Sequence, residues 1–136
     1  MKAAVSGSAY VDPAQAVCHR RGVDILDPQI ARELAAELPP DVFAEVLRTF
    51  EADLTRLAAE MQQAARQGDA EGCRRSAHAL AGTAASIGAQ ALERVARLAL
   101  GPDPRPTGQP ELEEVQRILH ATLQALRALP ETCPRP

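Results

Sequence analysis

His78 and Gly82 lie four positions apart in CRRSAHALAGTAASIGAQAL, residues 73–92, which otherwise has the composition of one continuous helix. An imidazole can act as a general base, bind a metal ion or attack an electrophile as a nucleophile. Glycine inside a helix costs about 1 kcal/mol relative to alanine. A helix that carries both residues on one side therefore suggests that the space beside the ring is needed.

A helical wheel at about 100° per residue places five residues of the segment 70–87 in one direction, which must face the core. They are Cys73, Ala77, Leu80, Ala84 and Ile87. His78 points roughly 140° away from this direction, towards solvent. Its neighbours on the outer face are cationic or small: Arg74, Arg75, Ala81, Gly82 and Ala85. We therefore expect an exposed ring with positive charge and little bulk around it.

Nucleophilic attack fits the surroundings of His78 better than the other two chemistries. A general base needs a pocket and an orienting carboxylate, and only Glu71 lies near on this face, seven residues earlier. A metal ion needs ligands three or four positions away, and no residue there can coordinate one. A nucleophile needs access, with Arg74 and Arg75 placed to accept an incoming phosphoryl group. The sequence predicts no metal site.

Proline and glycine divide the chain into helices that would position this face. Two short helices are predicted, from Asp12-Pro13 to Gly22 and from Asp27-Pro28 to Pro39-Pro40. Four longer ones follow, at 41–67, at 70–87, at 89–100 with Leu92, Val95 and Leu98 inward, and from Leu112 to Leu129 after the loop GPDPRPTGQP.

The pattern predicts an all-α fold, an antiparallel up-down four-helix bundle with one or two short N-terminal helices. No alternating strand pattern appears in the sequence. We expect three parts: an N-terminal arm with a short helix over 1–22, the helical bundle over 23–129 and a disordered tail over 130–136.

Composition excludes several classes of function. A formal charge of -3 and a pI near 5.6 argue against a nucleic-acid partner. The sequence has neither a signal peptide nor 18 consecutive apolar residues, so we expect a cytoplasmic protein with no membrane partner. The three cysteines, Cys18, Cys73 and Cys133, have no disulfide or zinc spacing. We expect structural roles for His19 and His120, and helical hydroxyls bonded to their own backbone at Thr83 and Ser86.

The segment AHALAGTAASIGAQAL resembles the signature of histidine-containing phosphotransfer (HPt) domains, A-H-x-L-K-G-x-x-x-x-x-G-x-x-x-L. The matching positions are His78, Leu80, Gly82, Gly88 and Leu92. The preceding chain is also similar, with a phenylalanine inside the long helix and Gly-Asp before the histidine helix, so that the likeness covers roughly residues 23–129.

The resemblance implies a phosphoryl carrier and not an enzyme with kinase activity of its own. Nε2 of His78 would take a phosphoryl group from the aspartyl phosphate of one response-regulator receiver domain and pass it to another. The receiver would supply the aspartate and Mg²⁺, so the chain would need no cofactor of its own. The implied partners are receiver domains and a sensor (hybrid) histidine kinase of a two-component system, and we expect a monomer.

The sequence departs from the family at two positions. Ala81 stands where most members have lysine, and Leu100 where some have a polar residue. The charge that steadies the phosphoryl group would then come from Arg74, Arg75 or Arg97, or from the partner. The missing lysine leaves a second hypothesis, a non-catalytic adaptor that binds a receiver or kinase domain without relaying phosphate. A third is helix-driven dimerisation.

Overall fold

The computed structural model describes residues 19–20, 23–100 and 108–132. In chain order their elements are β1 (His19–Arg20), β2 (Val23–Asp24), α1 (Pro28–Glu37), α2 (Pro40–Arg66), α3 (Ala70–Ile87), α4 (Gln90–Leu100) and α5 (Gln109–Thr132). Within this part of the chain, α2, α3, α4 and α5 form a closed ring, in which each packs against two others. The predicted all-α bundle is confirmed, and α1 is one of the expected short N-terminal helices.

Side-chain caps and a left-handed glycine set the ends of α3. The Asp69 carboxylate accepts a hydrogen bond from the Gly72 backbone N–H at 2.8 Å, which satisfies one of the free donors of the first turn. At the other end Gly88 has φ of 77°, and a Cβ there would lie 3.1 Å from the Cβ of Ile30. Only glycine fits this position without strain. The predicted bounds of α3 are therefore confirmed.

The N-terminal segment covers the same end of α3. The Asp27 backbone N–H donates to the Gly88 carbonyl at 2.7 Å. Ile25 and Leu26, just before α1, are buried in the main core. Asp27 also caps α1 through its side chain, which accepts from the Gln29 N–H. One short segment thus starts α1 and holds the C-terminus of α3 in place.

The core is built mainly from aliphatic and alanine side chains, together with Phe43. The inward face predicted for α3 is confirmed, because all five of its residues are buried: Cys73, Ala77, Leu80, Ala84 and Ile87. Small residues at such positions let helices approach closely. α3 therefore has a fixed rotation about its own axis, which decides what its outer face presents.

Phe43→Ala should lower the free energy of unfolding by about 3–5 kcal/mol, the usual loss for a buried phenylalanine. Phe43 is only 4% exposed within α2, whereas Phe50 is half-buried at the edge of the core. Phe50→Ala should therefore cost less. Urea denaturation followed by circular dichroism measures both, and equal losses in the two variants would contradict the difference in burial.

Two predictions near the ends of the chain differ from the fold. His19 and Arg20, expected near the end of a helix, instead pair with Asp24 and Val23 in an antiparallel ladder, which uses the backbone groups that a helix would need. The rest of that predicted helix lies outside the described residues. α5 continues to Thr132, so the first three residues of the expected disordered tail are helical; the last four are not described.

Leu98 was predicted to face inward and is 70% exposed, so that prediction is wrong. Two steps of three residues from Leu92 turn the side chain by about 120°, which takes it off the buried stripe of α4. Val95 is half-buried, and Ala96 is buried where Leu98 was expected to be.

Among the described residues, no helix combines the length and apolar character that crossing a bilayer requires.

Candidate functional site

His78 lies on the outer ridge of α3, and its side chain is exposed. Residues before and after it, Ala77 and Leu80, are buried on the opposite side and anchor the helix. Neither ring nitrogen makes a hydrogen bond within the part of the chain that the structure describes. Nothing described therefore occupies the lone pair that a nucleophilic imidazole uses.

The ring borders a shallow depression of about 380 Å³. Its lining consists of one side of the first half of α3 and the end of α4: Glu71, Arg74, Arg75, His78 and Leu100. Helical side chains generally lean towards the N-terminus and lie over the preceding turn, which for position 78 is the turn that contains both arginines. The structure thus brings His78 together with both predicted cationic residues.

The two arginines have different surroundings. Arg74 donates from Nη1 to the backbone carbonyl of Leu100 at 3.2 Å. Leu100 is the last residue of α4, where the final carbonyls lack helical partners and a cation is favourable. Arg75 is exposed, and no hydrogen bond or ion pair to another described residue involves it. The sequence gives no sign of the Arg74 bond, because the acceptor is a backbone carbonyl 26 residues away.

Arg97, the third candidate cation, is already paired. Its guanidinium contacts the Glu93 carboxylate at 2.9 Å, one turn earlier on α4. Such an i,i+4 pair stabilises a helix by about 0.2–0.5 kcal/mol. Arg97 also does not line the depression beside His78.

Gly82 lies one turn after His78 on the same ridge and is exposed. A Cβ added to it would meet no atom within 4 Å. Gly72 differs, because a Cβ there would collide with the Asp69 side chain that caps the helix. Packing within the described chain therefore gives no reason for glycine at position 82, although glycine costs about 1 kcal/mol in a helix. The missing side chain leaves open space one turn from the His78 ring.

Ala81 was predicted on the outer face and is fully buried, so this assignment is wrong. The wheel put it about 80° from the core direction, on the flank from which Arg74 reaches α4. A helix with a neighbour on each side buries more than half of its circumference, and a methyl group on the flank is easily covered. Ala85, further round, is half-buried. Of the predicted small residues, Gly82 alone is exposed.

The remaining candidates take no part in this site. The Ser86 hydroxyl donates to the Gly82 carbonyl at 3.1 Å, the backbone bond that a helical serine was expected to make. Cys73 is buried, His120 is exposed on α5, and Cys18 and Cys133 lie outside the described residues. Over residues 19–20, 23–100 and 108–132, no group of three or more potential ligands is placed to hold a metal ion.

Comparison with known families gives one match. The model described as "Hpt domain" matches residues 45–129, which is more than half of the chain. The matched region includes His78, Gly82 and the end of α4. Searches of the curated proteins and of the solved structures found no match.

Proposed function

The chain belongs to the Hpt domain family, and from that premise we propose that His78 accepts a phosphoryl group from an aspartyl phosphate on one receiver domain and passes it to a second receiver. Hpt domains carry phosphoryl groups in phosphorelays, where they interact with receiver domains and kinases, and they are not autonomous kinases. The observation that supports the proposal is the exposed His78 ring beside unfilled space at Gly82.

The proposed step is a displacement at phosphorus. The lone pair on Nε2 of the neutral imidazole forms the N–P bond, while Nδ1 keeps its proton. The P–O bond to the receiver's aspartate breaks, and its electron pair stays on the aspartate carboxylate. The phosphoimidazolium group then gives the phosphoryl group to the second receiver by the reverse displacement. His78 must therefore be reached in line, which an exposed ridge allows.

The receiver, and not this chain, is proposed to supply Mg²⁺. Phosphoryl transfer depends on positioning and on neutralising charge at the transferred group. Hard cations such as Mg²⁺ prefer carboxylate oxygens, and the one carboxylate in the depression beside His78 belongs to Glu71. A single exposed carboxylate is a poor site for such an ion, so the role of this chain is to present the nucleophile.

Incubation with a phosphorylated receiver tests the proposal. Each receiver domain of the source organism, loaded with labelled phosphate, would be mixed with the purified chain, with and without Mg²⁺. We expect at least one to transfer label that is labile in acid and stable in alkali, as a phosphohistidine is. Binding of a receiver without any such label would instead favour the adaptor.

A further inference from the structure

We propose that Arg75 binds the phosphoryl group on His78, while Arg74 positions the end of α4. This inference rests on the proposed phosphorylation of His78. A phosphoryl group brings about two negative charges, and a guanidinium is well suited to bind its oxygens. The question is therefore which cation of this chain can reach it.

Burial and pairing separate the candidates. Position 81 offers no charge and is buried under neighbouring helices. Arg97 is held by the Glu93 carboxylate at 2.9 Å. Arg74 lines the depression but donates to the Leu100 carbonyl, so moving it to a phosphoryl group would release the end of α4.

Arg75 meets the geometric requirements. It precedes His78 by three residues, and side chains at that spacing have Cβ atoms about 5–6 Å apart. A helical side chain at position 78 generally lies over the preceding turn, which contains Arg75. Among the described residues Arg75 lines both the depression beside His78 and a second one between α2 and α3. Arg75 thus borders open space in two directions, and its side chain can move to the phosphoryl group without breaking a hydrogen bond to a described residue.

Glu71 carries the opposite charge to Arg75 in the same depression, so its substitution provides a comparison. Its exposed carboxylate lines the same depression as Arg75 and His78. A negative charge there repels an incoming phosphoryl group, whereas the charge of Arg75 attracts it. If electrostatics at this depression govern the reaction, neutralising each residue should change the rate in opposite directions.

The experiment uses phosphoramidate, a small phosphoryl donor that has no docking surface. Its P–N bond breaks as Nε2 of His78 attacks, and ammonia leaves. We expect Arg75→Ala to slow labelling of His78 about ten- to a hundredfold, the range that corresponds to the loss of one charge-assisted hydrogen bond. Arg75→Lys should recover most of the rate, Arg74→Ala should slow it less than Arg75→Ala, and Glu71→Gln should raise it.

Arg48→Ala is the matched control, because Arg48 is an exposed arginine on α2 outside this depression. Equal rates for Arg75→Ala and Arg48→Ala would overturn the inference, as would a slower Glu71→Gln or a larger loss in Arg74→Ala. Labelling of the wild-type chain distinguishes a failure of the Arg75 proposal from a failure of the proposed phosphorylation of His78. If wild-type His78 takes label and only the Arg75 effect is missing, the proposed function stands; if no donor labels wild-type His78, both fail.

Discussion

His78→Gln should abolish phosphoryl transfer completely and leave the bundle folded. The amide nitrogen of glutamine has no lone pair comparable to that of Nε2, so no N–P bond forms. The side chain at this position is exposed on α3 and makes no hydrogen bond to a described residue, so its loss removes few stabilising contacts. Labelling by phosphorylated receivers measures the first effect, and urea denaturation the second.

Two other variants distinguish the loss of the proposed nucleophile from a loss of folding stability. His120→Gln changes a second exposed histidine, on α5 outside the site, and should keep full labelling. Phe43→Ala should show the reverse pattern to His78→Gln, with lower stability and a phosphoacceptor that still works while the chain is folded. Residual label in His78→Gln would mean that another residue is the acceptor.

Gly82→Gln should slow transfer from a receiver at least about a hundredfold, a loss typical of reacting groups displaced by an ångström or more. The glutamine side chain would stand on the ridge one turn from His78, in space that no described atom occupies. Glutamine is also a better helix former than glycine, so the variant should be slightly more stable than the wild type. Reduced function with raised stability is the signature expected of a site kept clear for a partner.

Gly82→Ala and the small donor complete this test. The single methyl of alanine should stabilise α3 by about 1 kcal/mol while obstructing a receiver far less than glutamine. Phosphoramidate should label Gly82→Gln at nearly the wild-type rate, because it needs no docking surface. Normal transfer from receivers to Gly82→Gln would show that the glycine is not there to provide clearance.

Local signals in the sequence were enough to predict α3. Its caps depend on residues within a few positions, Asp69 at the start and Gly88 at the end, and its buried stripe repeats every three to four residues. The exposure of His78 follows directly from that stripe. The exposed position of His78 on α3 could therefore be predicted without a structure.

The burial of Ala81 and the hydrogen bond of Arg74 depend on tertiary packing and could not be predicted from the sequence. Ala81 is buried because helices flank α3 on both sides, which a wheel with one core direction does not include. The different surroundings of Arg74 and Arg75 depend on the backbone carbonyl of Leu100, which is distant in sequence. Two neighbouring arginines look alike until the fold places one of them against the end of another helix.

The hydrogen bond from Asp27 to Gly88 shows that residues before the family match pack on the histidine helix. The match begins at residue 45, after the segment that covers the end of the histidine helix. A fragment trimmed to 45–129 would lack Ile25, Leu26 and Ile30, and the glycine turn at the end of α3 would lose the side chains packed on it. A shortened chain, or a fusion that carries this domain, should therefore start before residue 25.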